Sequence, residues 1–274
     1  MNPVWTRCLL PLAALTALTS ALISDFQQAS ANPSRPTVRD QGAIAQASSS
    51  ARQRRKRIAF IPRQVGTVPS RRVPGSVRGS ACKAGAQKLT ALTPEWDPQV
   101  LSASTPTFLF YVPLASAEAL EFVLQDEAGN VVYQQTYTPA ARSGVIRIRP
   151  AAAPSLPVLQ VGKPYYWAFS MVCDRTDRSR DVLVDGELQR VEPDVALAAK
   201  LAITDGYDRA ALYAASGFWH DALMTLVDLR QANPSDGSLQ EDWQDLLRSV
   251  GLSSIAQEPL LPCCTLQPVA RPAL

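Results

Sequence analysis

Between Leu89 and Leu188 apolar side chains return at every second position, a period that admits strands and little else. Phe108, Phe110 and Val112 alternate with Leu109 and Tyr111, and Leu120, Phe122 and Leu124 alternate with Glu121, Val123 and Gln125. Asp126-Glu-Ala-Gly-Asn130 then reverses the chain into Val131–Tyr137, a hairpin signal. Ile146 and Ile148 form an inward pair beside the outward pair Arg147 and Arg149. Tyr165, Trp167, Phe169, Met171 and Cys173 share one face of the longest strand, and Val182, Val184 and Leu188 line the last. With Leu89–Leu92 as a short first strand, seven strands and no helical period predict an antiparallel sandwich.

Beyond Val191 the period changes to 3.6. Pro193-Asp194 opens a helix through Leu201, Tyr207 to Ser216 forms a second, and Gly217 stops it. Trp219, Ala222, Leu223, Leu226 and Leu229 then share one helical face that ends at Asn233-Pro234. Ser238-Leu-Gln-Glu241 reads as a capping box for a last helix that buries Trp243, Leu246, Leu247 and Val250 and stops at Gly251. The stretch from Tyr213 to Pro234 resembles one tetratricopeptide repeat, and a single repeat cannot bury its face alone. Packing on the sandwich is the expectation; docking on a partner is the alternative. Leu159, Gly162 and Pro164 ahead of Tyr165 resemble the tyrosine corner of fibronectin type III and immunoglobulin-like domains, in which the phenol bonds upstream backbone. Tyr165 is therefore expected to be structural. The expected fold is an all-β sandwich of immunoglobulin or fibronectin type III-like kind, followed by a short α-helical extension.

Arg7 is the only charge ahead of the apolar run Cys8–Ile23, and Ala29-Ser30-Ala31 supplies the small residues that signal peptidase requires. Residues 1–31 thus read as a signal peptide that sends the chain to the periplasm or outside the cell and leaves no stable membrane span. A retained anchor is the alternative, because Ala43-Ile-Ala45 blurs the cleavage site. Cys8 stands at the start of the apolar run, so it is a poor lipoprotein acceptor. The remaining limits are a disordered basic arm at 32–70, the sandwich at 71–191, the helical extension at 192–258 and a disordered tail at 259–274.

Export gives the cysteines meaning. Without Cys8 there remain Cys82, Cys173, Cys263 and Cys264, and an oxidising compartment makes Cys82 with Cys173 the natural disulfide. Cys263 and Cys264 pair with another chain or stay free. No C-x-x-C occurs and His220 is the single histidine, so neither a metal nor a cofactor is expected. The net charge of +3 hides a division: residues 32–80 carry eleven Lys/Arg and one acid, whereas residues 81–274 carry fifteen Lys/Arg and twenty-two acids. The arm is read as a solvated linker; contact with an anionic partner or membrane, or with the body itself, is the alternative. Nucleic acid is excluded as its partner by the exported location, despite suitable charge.

Arg71-Arg-Val-Pro-Gly75, Arg78-Gly79, Phe122-Val-Leu-Gln-Asp126, Tyr166-Trp-Ala-Phe-Ser170, Cys173-Asp174 and Gly217-Phe-Trp-His-Asp-Ala-Leu223 together resemble a family of exported cyanobacterial proteins known only as a domain of unknown function. The resemblance spans roughly residues 70 to 262 and implies a cyanobacterial source. It implies no catalytic residue.

Catalysis has little to build on. His220 has no G-x-S-x-G serine to serve and reads as a helix-surface histidine. Asp174, Asp177 and Asp181 form the densest acidic cluster, but Arg175, Arg178 and Arg180 interleave them, so a salt-bridged turn explains them better than carboxylate chemistry or calcium. Arg71, Arg72 and Arg78 around Gly75 and Gly79 suit an anion or a partner, or ion pairs with the body. The function expected is a non-catalytic interaction module with a protein partner in the cell envelope. Two alternatives stand: a hydrolase of envelope polysaccharide or peptide that uses acidic residues, and an extracytoplasmic regulatory partner of a membrane sensor.

Overall fold

Eight strands and four helices follow one another in a computed structural model that describes residues 57–63, 71–74, 82, 87–95, 99–103, 105–150 and 158–262. The expected signal peptide, most of the basic arm, Arg78, Cys263 and Cys264 lie outside the described residues. The strands are β1 (Thr90–Ala91), β2 (Gln99–Leu101), β3 (Phe108–Val112), β4 (Ala119–Gln125), β5 (Val131–Tyr137), β6 (Gly144–Ile148), β7 (Pro164–Val172) and β8 (Val182–Arg190). The helices are α1 (Val195–Ile203), α2 (Gly206–Ala215), α3 (Trp219–Ala232) and α4 (Gly237–Ser249).

The strands form two sheets, ordered β1-β3-β6 and β2-β8-β7-β4-β5. Register follows the alternation, for example Phe122 opposite Phe169 and Phe110 opposite Ile146. The sheets share one apolar core, where the Phe110 and Phe169 rings stack at 4.1 Å and those of Phe108 and Phe122 meet at 4.8 Å. Trp167 lies over Gly186, where an added Cβ would come within 2.6 Å of the indole, so only glycine fits beneath it.

The structure departs from the sequence reading in four places. β2 is an eighth strand, and it runs parallel to β8; its three residues are too few to show a period. The helices pack on the sandwich, as expected, but as part of its body, so the domain is not all-β either. Leu109 and Tyr111 on β3 and Val145 on β6 point away from the inter-sheet core, yet they are 1–3% exposed, because α2, α3 and α4 cover them. The Trp219 indole N–H donates to the Leu92 carbonyl at 2.8 Å and ties this cap to the end of β1. Arg147 clamps the cap from β6 through Asp228 (2.9 Å) and Gln231 (3.1 Å). Third, part of the supposed arm is packed: Ile58 and Phe60 are 2% and 8% exposed and join the same cluster. Fourth, the tail is ordered at its start, since Leu261 is buried and the Val145 backbone exchanges hydrogen bonds with Pro259 and Leu261.

Local signals place the helices. Asp194 caps α1 by accepting from Leu197 N–H. Asp236, not Ser238, caps α4, accepting from the Ser238 N–H and hydroxyl. α1 rests on β2 through Leu197, Leu201 and Val100, with Phe218 beside them. No helix among the described residues is long and apolar enough to cross a membrane.

Cys82 and Cys173 are bonded, with Cα atoms 4.8 Å apart and a sequence separation of 91. The bridge fastens the segment before β1 to the end of β7. Closing so long a loop restricts the unfolded chain, and the double variant Cys82→Ala/Cys173→Ala is expected to lose about 4 kcal/mol of stability in denaturant titrations under oxidising conditions. Parent protein treated with reductant should match it.

Candidate functional site

α3 starts after Gly217, which turns the chain at φ +77°, and its first residue is Trp219. No side chain of Phe218 caps it; instead Asp221, in its first turn, reaches across to the β2–β3 connection. The Asp221 carboxylate accepts from Ser102 N–H at 2.8 Å and from the Ser102 hydroxyl at 2.5 Å. Burial pushes the Asp221 carboxyl above its usual range, and these bonds oppose that rise. An acid in the first turn also suits the helix dipole.

His220, one residue earlier, is 4% exposed, which corrects its reading as a surface histidine. The edge of its ring meets Phe108 at 5.6 Å, and Nδ1 lies 3.1 Å from the Thr107 carbonyl, which places the proton on Nδ1. Burial pulls the pKa of His220 down to about 4, so the imidazole is neutral at pH 7. The helix turn and the connection between β2 and β3 thus frame a cleft of about 270 Å³. Leu101 and Met224 give it apolar walls, Thr105 and Thr107 line one side, and Asp228 and Arg149 lie at its polar end. Asp228 is already paired with Arg147. Arg149 is exposed and makes no ion pair to a described residue. The volume suits a side chain or small group more than a whole cofactor. Chemically the cleft offers one cation at its rim, while its buried carboxylate and imidazole are fixed by the backbone.

The acidic cluster is elsewhere, around a short 3-10 turn at Arg178–Arg180. Arg178 bridges Asp181 at 2.6 Å and Glu121 at 2.7 Å, and Arg180 stands 3.9 Å from Asp174. Asp181 also accepts from Cys173 N–H, at 3.3 Å. The Thr176 hydroxyl and N–H hold the Asp174 carboxyl below its usual range. Glu121, on β4, is the member that sequence spacing could not supply, because strand pairing alone brings it there. Among the described residues no three His, Cys, Asp or Glu side chains are grouped to hold a metal ion.

Arg71 and Arg72 part company. The Arg71 backbone pairs with Asp185 in both directions and its guanidinium lies 3.6 Å from the same residue's carboxylate. Arg72, its side chain 12% exposed, donates to the carbonyls of Val250 at 2.6 Å and Thr93 at 3.4 Å and pairs with Glu95. Arg72 therefore joins the end of α4 to the residues after β1. The phenol oxygen of buried Tyr165 accepts the Gln160 N–H at 3.1 Å. A second hollow, about 460 Å³, adjoins Tyr165, but Asp126 in its wall is bonded by Ala128 and Asn130, and Lys163 faces Glu127 at 4.0 Å.

A family model described as Domain of Unknown Function (DUF928) matches residues 73–260. No curated protein matches the chain.

His220 makes stability depend on pH. Its folded pKa lies below the value of about 6.5 in the unfolded chain, so the unfolded state takes up a proton first. Stability is full above pH 6.5 and falls as pH drops toward 4, by about 3 kcal/mol from this group. Asp221 works in the opposite sense, because its folded pKa is raised: it contributes most when protonated and offsets part of the loss at the acid end. In thermal melts between pH 7 and 4, His220→Gln is expected to flatten the decline. An unchanged slope would show that His220 does not cause it.

Proposed function

We propose, for a chain that belongs to the DUF928 family, a non-catalytic interaction module of the cell envelope, exported by its N-terminal segment and acting through a protein partner. One observation carries this reading: among the described residues, the groups that the sequence offered for chemistry are committed to the fold. His220 is neutral and bonded to Thr107, Asp221 holds Ser102, and Asp174 and Asp181 face arginines. A general acid or base needs a proton it can exchange with substrate, and a carboxylate locked by an arginine or by two backbone-linked donors is poorly poised for that. The disulfide favours an oxidising compartment.

The scaffold suits such a role. The facing orders β1-β3-β6 and β2-β8-β7-β4-β5, together with the Tyr165 phenol held by upstream backbone, support reading the two sheets as an immunoglobulin or fibronectin type III-like sandwich. Domains of that architecture present loops and sheet faces on a rigid body. The helices belong to the body here, so removing residues 192–262 would uncover Leu109, Tyr111 and Val145.

Two measurements test the reading. Protein sequencing of the chain recovered from the cell envelope should find an N-terminus near residue 32; unprocessed chain in the cytosol would contradict export. Purified protein should release no soluble fragments from envelope polysaccharide or peptide. Asp181→Asn should cost about 2 kcal/mol, read as a lowered melting temperature, because it weakens two bonds at a mostly buried carboxylate. Turnover that disappears in Asp181→Asn or Asp177→Asn while the melting temperature holds would establish an enzyme instead.

A further inference from the structure

Residues 57–63 cross the helical cap as an extended segment, outside any strand or helix. Their side chains alternate: Ile58 and Phe60 are buried, whereas Ala59 and Ile61 face solvent. The Phe60 ring meets the Trp219 ring edge-on at 5.1 Å, with the rings 79° apart. Two main-chain groups are read directly, Phe60 N–H by the Ser249 hydroxyl at 3.1 Å and Ile61 N–H by the Ala214 carbonyl at 3.0 Å. The ends are held by charge. Arg57 lies 3.6 Å from Asp245, and Arg63 donates to the Ser216 carbonyl at the end of α2 and sits 5.0 Å above the Phe218 ring. Gly217 makes room for Arg63, which packs against it where any side chain would stand.

Backbone hydrogen bonds, pockets for alternate side chains and acidic or carbonyl ends for basic residues are the means by which helical folds and sheet edges recognise peptides. The groove is built from residues 214 to 249, inside the family match, whereas its occupant lies ten residues before that match begins at residue 73. The family domain thus carries the groove, and the filling comes from outside it. We propose that the groove between α2, α3 and α4 is a peptide-recognition site, held in cis by residues 57–63, and that its partner is a polypeptide with an aliphatic-x-aromatic core and arginine or lysine on both flanks. The proposal rests on the interaction-module reading and names the partner class for it. Charge complementarity selects that class: Asp245, which Arg248 bonds through one oxygen, turns its other oxygen to Arg57, and the carboxyl end of α2 accepts from Arg63, so each end of the groove takes a basic side chain. Among the described residues the segment is held by two buried side chains, two main-chain bonds and the end contacts of Arg57 and Arg63, a set small enough to open without the body unfolding.

The test uses the full chain and a fluorescein-labelled peptide with the sequence of residues 56–64. In the double variant Ile58→Asp/Phe60→Asp the tethered segment leaves the groove. Fluorescence anisotropy should then show peptide binding at least about tenfold tighter than to the parent, whose groove is filled at the high effective concentration of a tethered ligand. Replacing the phenylalanine in the peptide by aspartate should remove the binding, and Asp245→Asn should weaken it. A variant that melts cooperatively yet binds the two peptides equally overturns the proposal. Hydrogen exchange of the parent gives an answer even if the variant fails to fold. The Phe60 and Ile61 amides should exchange at least about a hundredfold faster than those of α3; exchange at the rate of α3 would make the segment an inseparable part of the core and overturn the proposal. Loss of peptide binding would leave the turnover assay, and with it the non-catalytic reading, untouched.

Discussion

β3 is apolar on both faces, and every one of its five residues is buried. A strand of that kind cannot sit on the surface of a two-sheet body. Its inner residues, Phe108, Phe110 and Val112, fill the space against β4 and β7. Its outer residues, Leu109 and Tyr111, need a second cover, and the helices provide it with Trp219, Leu223, Leu226, Trp243 and Leu246. The rest follows from that need: the chain returns through α2–α4, residues 57–63 seal one edge of the cap, and Pro259–Leu261 line up beside β6. The central sheet is a middle layer.

Most elements were readable from residue patterns because their signals are local. Among the described residues, alternation, the 3.6 period and breakers such as Gly217 and Pro234 mark seven of the eight strands and all four helices. What escaped depends on contacts distant in sequence. β2 is three residues long and owes its existence to parallel pairing with β8. Ile58 and Phe60 do alternate, but the run of arginines before them dominates the local composition and hides a pair that only Trp219 makes meaningful. The signal for two-sided burial is present in Phe108–Val112, five apolar residues without interruption, although the same run also satisfies simple alternation.

The candidate site was less readable, for the same reason. His220 looked like a surface residue because it stands off the apolar stripe of α3; the end of β3, with Thr107 and Phe108, is what buries it. Asp221 carried no pattern linking it to Ser102, 119 residues earlier. The arginine–aspartate turn at 174–181 was visible in composition, while its link to Glu121 came from strand pairing. Charged side chains fasten layers to one another: Arg147 to α3, Arg72 to the end of α4, Arg178 to β4.

If the three-stranded sheet is a middle layer, the two sheets and the helical cap must unfold together. Fluorine NMR of protein labelled with 5-fluorotryptophan separates Trp167, between the sheets, from Trp219, beneath the cap. During a urea titration the native signals of both should vanish at one midpoint with one slope. Loss of the Trp219 signal at lower urea, with Trp167 still in its native environment, would mean that the cap is an appendage and that β3 tolerates an uncovered face.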